Sequence, residues 1–146
     1  VNETMARRTS RFRITENGLG PRETFVEYEA GTFPDGLAFD EEGAFWMTSV
    51  VSNRVIRVTT DRQKHVVIEE NDPEHLAEVE KAFQAGQMGR EHLDNIQTEI
   101  MQSISSIAFG GPGRRTAYLG NLLDTKLYTF DSPIAGYAPS HWGIRL

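Results

Sequence analysis

Internal repetition is the feature that most limits how this chain can fold. The segment "LAF" at residues 37–39 recurs as "IAF" at residues 107–109, an offset of 70. The longer segment "AFWMTSVVSNRVIRV" at residues 44–58 recurs as "TAYLGNLLDTKLYTF" at residues 116–130, an offset of 72. The offsets differ because the intervening loop "GGPGRR" is two residues longer than its counterpart "DEEG". Repetition on this scale predicts a fold built from similar units.

A third, partial copy stands at the start of the chain. The segment "VNETMARRTSRFRI" follows "FWMTSVVSNRVIRV" at an offset of 44, so that Thr4 falls under Thr48 and Arg13 under Arg57. The chain therefore holds one complete copy between two incomplete ones.

Each copy contains short runs rich in Val, Ile, Phe, Thr and Tyr, bounded by turn residues, a pattern typical of strands joined by hairpins. In the complete copy we predict strands near residues 37–40, 45–50, 54–58 and 65–69. Four antiparallel strands that repeat every 40–50 residues or so are typical of a β-propeller blade. The sequence therefore predicts an all-β chain with about two to three propeller blades; a β-sandwich of similar strands is the alternative.

The second and third copies are separated by a helical pattern near residues 72–102. Asp72 is a suitable N-cap, and Pro73 follows it at the first helical position. Apolar residues recur at helical spacing in two successive stretches. They are Leu76, Val79 and Phe83 in the first stretch, and Leu93, Ile96 and Ile100 in the second. We predict about 30 residues of inserted helix whose apolar stripe packs on the blades.

These patterns divide a single domain into five parts. We expect a partial blade at residues 1–30, a full blade at 34–70, a helical insertion at 71–103, a last blade at 104–132 and a tail at 133–146. A propeller removes its exposed sheet edges by closing a ring of about four to eight blades. We therefore expect closure by further blades from a longer chain, or by several copies that assemble into a ring.

Composition excludes several classes of function. The formal net charge is -6 and the basic residues are scattered, which disfavours a nucleic-acid-binding protein, because phosphate binding needs a basic surface. No apolar run has the length of a membrane span, and we expect a soluble, cytoplasmic protein. Because the sequence contains no cysteine, any metal ion must be bound by oxygen or imidazole ligands.

Three segments, read in order, carry a family resemblance. They are "FPDGLAFDEEGAFWMTSVVSNRVIRV" at residues 33–58, "ISSIAFGGPGRRTAYLG" at 104–120 and "SPIAGYAPSHW" at 132–142. Together they resemble the C-terminal half of the gluconolactonase and senescence marker protein (regucalcin) family. The resemblance implies a six-bladed β-propeller with one divalent cation in its central channel, which hydrolyses sugar lactones in carbohydrate metabolism. A non-catalytic propeller module that binds a ligand or a protein at its central mouth is the second interpretation.

The resemblance also implies a role for Asp35. Family members bind their cation through a glutamate, an asparagine and the aspartate of a Pro-Asp-Gly motif, and only the aspartate maps onto this chain. Asn2 is not the counterpart of the asparagine, which should precede this strand. Asp35 would thus be both metal ligand and general base, with Ca²⁺ as the expected cation and Zn²⁺, Mg²⁺ or Mn²⁺ as alternatives.

From the residues alone, Pro-Asp-Gly favours a turn. The repeat places Asp35 before its inner strand as it places Ser105 before the next one, so both should face the mouth of the channel. Ser105 and Ser106 are therefore candidate substrate-binding residues, with simple strand-start residues as the alternative. The acidic "DEEG" at residues 40–43 lacks the ligand spacing of a calcium loop, and we interpret it as a hairpin turn. Trp46 and Tyr118 are expected in the blade core.

Overall fold

A computed structural model describes residues 1–143 of the chain. The strands of this part are β1 (Asn2–Glu3), β2 (Arg8–Thr15), β3 (Gly18–Glu27), β4 (Phe33–Phe39), β5 (Phe45–Val50), β6 (Arg54–Val58), β7 (Lys64–Glu69), β8 (Ile104–Gly110), β9 (Thr116–Asn121) and β10 (Tyr128–Asp131). The helices are α1 (Pro73–Gln84) and α2 (Glu91–Asp94), with short 3₁₀ turns at Pro112–Arg114 and Ser140–Gly143. The predicted tail at residues 133–146 extends past the described residues.

The strands form three antiparallel sheets. The first sheet has the order β1-β2-β3, the second β4-β5-β6-β7 and the last β10-β9-β8, so that neighbours in the sequence are neighbours in each sheet. This meander is the arrangement expected for propeller blades, and the sheets do not close on themselves. The prediction of an all-β partial propeller is confirmed. No helix within residues 1–143 combines the length and the apolar character needed to cross a membrane.

The strand pairing confirms the repeat between the second and last sheets. Leu37 pairs with Met47, and Ile107 pairs with Leu119, which reproduces the offsets of 70 and 72. The connection between the two paired strands is two residues longer in the last sheet than in the second, as the loops "GGPGRR" and "DEEG" require.

The offset of the third copy is wrong. Asn2 pairs with Thr9 as Thr48 pairs with Val55, which is an offset of 46 rather than 44. Consistent with 46, Arg7 and its true counterpart Asn53 both have a positive φ, 49° and 44°. The next strands, in contrast, are related by 42, because Thr9 pairs with Val26 as Val55 pairs with Ile68. The offset changes by four residues because the β2–β3 hairpin is longer than the β6–β7 hairpin.

Strand β4 begins earlier than predicted and includes the Pro-Asp-Gly segment. Pro34 pairs with Ser49, and the next pair on β4 is Leu37 with Met47, so a β-bulge lies between Pro34 and Leu37. The expectation of a turn at Pro-Asp-Gly is therefore wrong. Proline is tolerated here because β4 is the edge strand of its sheet and a bulge follows.

The core lies between the sheets. Trp46 is 1% exposed and packs edge-on against Phe109, with ring centroids 5.4 Å apart, and also against Phe130 at 6.0 Å. On its other face the second sheet packs Phe45 and Met47 against the first sheet. Trp46 is thus a core residue, as predicted.

Tyr118, the sequence counterpart of Trp46, is not a core residue. It lies opposite Ala108 as Trp46 lies opposite Ala38, yet it is 37% exposed, so its assignment to the core is wrong. Its face of the last sheet is not covered by another sheet in the described residues, whereas that of Trp46 is covered by the last sheet.

The first inserted helix forms as the sequence predicts. The Asp72 carboxylate accepts hydrogen bonds from the backbone N–H groups of Glu74 at 3.0 Å and His75 at 3.2 Å, so it caps the helix. Val79 of α1 is fully buried against Phe33 and the β5 end of the second sheet. The apolar stripe therefore packs on the blades.

The second inserted helix is much shorter than predicted. Only Glu91–Asp94 is helical, and Ile100 is 60% exposed. The Glu70 carboxylate accepts hydrogen bonds from three consecutive backbone N–H groups, those of Glu99, Ile100 and Met101, at 3.0, 2.9 and 2.6 Å. These donors are consequently unavailable to a helix.

Candidate functional site

Asp35 lies at the end of the sheets where several connections meet. Beside it is a cleft of about 560 Å³, which we call the mouth cleft. Thr4 of the β1–β2 loop, Val50 at the end of β5, Leu122 after β9 and Met88 of the insertion each contribute to its walls. The mouth cleft is thus built from all three sheets and the insertion.

The backbone around Asp35 is fixed by side chains from two other strands. Thr48 Oγ1 accepts a hydrogen bond from the Gly36 N–H at 2.9 Å. Asn2 Nδ2 donates to the Asp35 carbonyl oxygen at 2.8 Å and to the Gly36 carbonyl at 3.3 Å, while its Oδ1 accepts from Thr9 Oγ1 at 2.5 Å. These bonds compensate for the ladder bonds that the β-bulge removes. They hold the Asp35 backbone in place from both neighbouring strands.

The Asp35 carboxylate itself is exposed to the cleft and makes neither a hydrogen bond nor an ion pair within residues 1–143. The surrounding protein partly desolvates it, and this desolvation raises the pKa of Asp35 above its ordinary value of 3.8. A carboxylate with a raised pKa and no cationic partner is suited to accept a proton or to bind a cation.

Ser105 and Ser106 lie beside Asp35 in space, on the neighbouring inner strand β8. A Cβ atom added to Gly36 would lie 2.6 Å from Ser106 Cα and 2.7 Å from the Ser105 carbonyl oxygen. The two inner strands therefore approach so closely that only glycine fits at position 36. The structure brings the three predicted site residues onto adjacent strands.

The serines do not, however, line the mouth cleft described above. Its lining on the last sheet comes from Leu122 and Leu123 instead. Ser105 is half-buried and Ser106 is exposed. Their assignment to substrate binding stays a prediction.

The insertion contributes charged groups that the sequence did not single out. Arg90 and Asp94 of the α2 region line the mouth cleft, and Arg90 Nε donates to Asp94 Oδ2 at 2.8 Å. The Arg90 side chain is 88% exposed, so this ion pair lies at the rim. Their position depends on how the insertion folds back over β4, for which the sequence offers no local signal.

A complete set of metal ligands is not present in the described part of the chain. Among residues 1–143, no three His, Asp or Glu side chains are grouped so that they could hold a metal ion. Ca²⁺ takes six to eight oxygen ligands or so, and Asp35 supplies one carboxylate. Asp35 fits the role of one ligand among several, and the other protein ligands would have to come from outside these residues.

The sequence of residues 1–72 matches the model of the family described as "SMP-30/Gluconolactonase/LRE-like region". These residues make up just under half of the chain, and over them the chain is similar to that family. Asp35 and Asn2 lie inside the matched part, whereas the insertion and the last sheet lie outside it. Among curated proteins, no sequence matches the chain.

The likeness to a solved structure supports the propeller fold over nearly the whole chain. A luciferin-regenerating enzyme superposes with a TM-score of 0.59 and 17% sequence identity, over 91% of this chain and 41% of that one. At this identity the likeness shows the fold alone. The chain therefore spans about two fifths of that enzyme, and its second and last sheets are consecutive blades of a partial propeller.

Proposed function

We propose that this chain contributes Asp35 to the active site of a metal-dependent lactone hydrolase of the gluconolactonase type, with a sugar lactone as the expected substrate. The observation that carries the proposal is the Asp35 carboxylate, which faces the mouth cleft, has no hydrogen-bond or ion-pair partner within residues 1–143, and lies in the part of the chain that matches the family model. A partly desolvated carboxylate without a partner costs free energy, and such a cost is typical of functional sites.

The chemistry explains why a carboxylate is useful there. A lactone is an internal ester, so its opening needs an activated water and stabilisation of the negative charge that develops on the carbonyl oxygen. A divalent cation, Ca²⁺ or alternatively Zn²⁺, Mg²⁺ or Mn²⁺, would supply Lewis-acid polarisation and a lowered pKa of bound water. Asp35 would hold that cation and, lying next to the bound water, accept a proton from it.

The remaining ligands set a requirement for the assembly. Because the described residues supply one carboxylate, the cation site would be completed by further blades of the same polypeptide or by another copy of the chain. The same partner would close the ring.

The test is hydrolysis of glucono-1,5-lactone and of unsubstituted δ-valerolactone by the full natural polypeptide, with and without EDTA. We expect activity that EDTA abolishes, that Ca²⁺ or another divalent cation restores, and that Asp35→Asn lowers by about 10²-fold or more. Asp131→Asn is the matched control, because Asp131 is an exposed aspartate at the end of β10, outside the mouth cleft. Activity that survives both EDTA and Asp35→Asn would contradict the mechanism.

A second function is favoured by the incomplete ligand set. If the blades or copies that close the ring supply no further metal ligands, the protein would instead be a non-catalytic module that binds a ligand or a protein at the mouth. Light scattering distinguishes the two. A discrete multiple of 16.4 kDa without EDTA-sensitive hydrolysis would favour the binding module.

A further inference from the structure

The mouth cleft has mostly apolar walls. Phe33 of β4, Met88 and Leu93 of the insertion, and Leu122 and Leu123 after β9 surround the opening beside Asp35. Leu122 is 56% exposed and Leu123 36% exposed, although large aliphatic side chains are normally buried. A continuous apolar surface of this kind beside a carboxylate indicates a ligand that is only partly polar.

The wall on the insertion side is firmly supported. Met88 and Leu93 pack against the buried cluster of Phe33, Val50 and Val79, so they extend the core to the surface of the cleft. They are therefore fixed parts of the site and not side chains of a loose loop.

Within residues 1–143, the mouth cleft offers few polar groups able to bind hydroxyls. Apart from Asp35, the polar side chains of the mouth cleft are Thr4 and the Arg90–Asp94 pair, whose charges are directed to each other. A polyhydroxylated lactone such as glucono-1,5-lactone carries several hydroxyl groups that need hydrogen-bond partners when they leave water. Apolar walls cannot supply them, so they favour a different substituent.

We propose that the mouth cleft selects lactones whose ring carries an apolar alkyl or aryl substituent, and that the insertion and the β9–β10 connection determine this specificity. The inference rests on the proposed hydrolase function and narrows its substrate class. The ester group lies at Asp35, and the substituent packs against Met88, Leu93 and Leu122. A cleft of about 560 Å³ has the size of a typical small-molecule site, which leaves room for a substituent beside the ring.

The first experiment compares kcat/KM for δ-decalactone, which carries an alkyl chain, with that for glucono-1,5-lactone, on the full natural polypeptide with a divalent cation. We expect a preference of roughly tenfold or more for δ-decalactone. Leu122→Asn should lower kcat/KM for δ-decalactone by about tenfold and change the value for glucono-1,5-lactone by less than about twofold. Leu127→Asn is the matched control, since Leu127 is a 69% exposed leucine of the same connection outside the mouth cleft.

The second experiment measures binding without catalysis, by calorimetry with the non-hydrolysable lactam analogues of these two lactones. Tighter binding of the alkyl lactam that Leu122→Asn weakens and Leu127→Asn does not would support the inference. It would do so even if neither lactone were hydrolysed, a result that would overturn only the hydrolase function. Tighter binding of the sugar lactam, equal effects of the two leucine substitutions, or no binding of either lactam would overturn the inference.

Discussion

Arg7 and Glu80 join the first sheet to the insertion through two hydrogen bonds, from Nη1 to Oε1 at 3.0 Å and from Nη2 to Oε2 at 2.6 Å. The Arg7 guanidinium lies over the rings of Phe33 and Phe83, 4.5 and 3.9 Å from their centroids. Glu80 Oε2 also accepts the Gly31 N–H at 2.9 Å. This cluster fixes α1, and with it the insertion side of the mouth cleft.

The hydrogen bonds from Arg7 lower the pKa of Glu80 from its ordinary value of 4.5 to about 2. The pair therefore stabilises the fold fully above pH 4.5 or so, and the stabilisation is lost as the pH falls towards about 2. We expect Glu80→Gln to lower the free energy of unfolding at pH 7 by about 3 kcal/mol, because it leaves the Arg7 charge, whose Nε has no partner, without compensation. Urea unfolding at pH 7 and at pH 3 measures both effects.

The control is Glu78→Gln, which removes an exposed carboxylate from the same helix. It should change the free energy of unfolding by less than about 0.5 kcal/mol. If Glu80→Gln left the acid dependence of stability unchanged, the Arg7 pair would not be the source of it.

Gly36 should tolerate no side chain. Its Cβ would lie 2.6 Å from Ser106 Cα, a backbone atom of β8 that cannot move alone. We expect Gly36→Ala to lower the free energy of unfolding by about 2 kcal/mol or more, because the inner strands would have to separate. Gly89→Ala is a close control, since the atom 2.6 Å away is Glu91 Oε2 at the end of an exposed, flexible side chain. A similar loss in both variants would contradict the argument.

The fold could be predicted because its signals are local. Alternating apolar residues place Leu37 opposite Met47 and Ile107 opposite Leu119, and each hairpin carries its own turn residues. The second inserted helix could not be excluded, because the Glu70 carboxylate that takes its backbone donors lies about 30 residues away in the sequence. The spacing of apolar residues does not reveal a hydrogen-bond acceptor that lies so far away in the sequence.

Asp40 of the "DEEG" hairpin has a structural role beyond the turn itself. Its carboxylate is buried, accepts the Trp46 Nε1–H at 2.9 Å and the Arg57 Nε–H at 2.8 Å, and also accepts the N–H groups of Glu42 and Ala44, both at 3.0 Å. Asp40→Ala should lower the free energy of unfolding by about 3–5 kcal/mol, because Arg57 and the indole N–H lose their acceptor.

Glu42→Ala is the internal control for this prediction. Glu42 binds the same Arg57 at 2.7 Å, but its side chain is 64% exposed, so the loss should be below about 1 kcal/mol. Thermal unfolding of the two variants measures both losses of stability. Equal losses would mean that burial of Asp40 is unimportant.

The candidate site was predictable only in part. Pro-Asp-Gly identifies Asp35, whereas Asn2, which binds the Asp35 carbonyl, was assigned to a register two residues away from its true one. Arg90 and Leu93 reach the mouth cleft because the insertion packs on Phe33, a tertiary contact without a sequence motif. Residues that position or enclose a site can be identified only once the packed structure is known.

The last prediction concerns the cost of the Asp35 charge in the metal-free protein. Burial raises the pKa of Asp35, so its contribution to stability is full below the ordinary pKa of 3.8 and is lost as the pH rises. In EDTA at pH 7, Asp35→Asn should therefore raise the Tm, on the order of 1–2 °C, and the difference should vanish below about pH 4. Asp61→Asn should instead lower the Tm at pH 7, since the hydrogen bond from Thr59 lowers the pKa of Asp61.

Millimolar Ca²⁺ should raise the Tm of the wild type but not that of Asp35→Asn, because a ligand stabilises only the state that binds it. A lower Tm for Asp35→Asn in EDTA would mean that Asp35 is a structural residue, and the metal-ligand proposal would lose its physical basis.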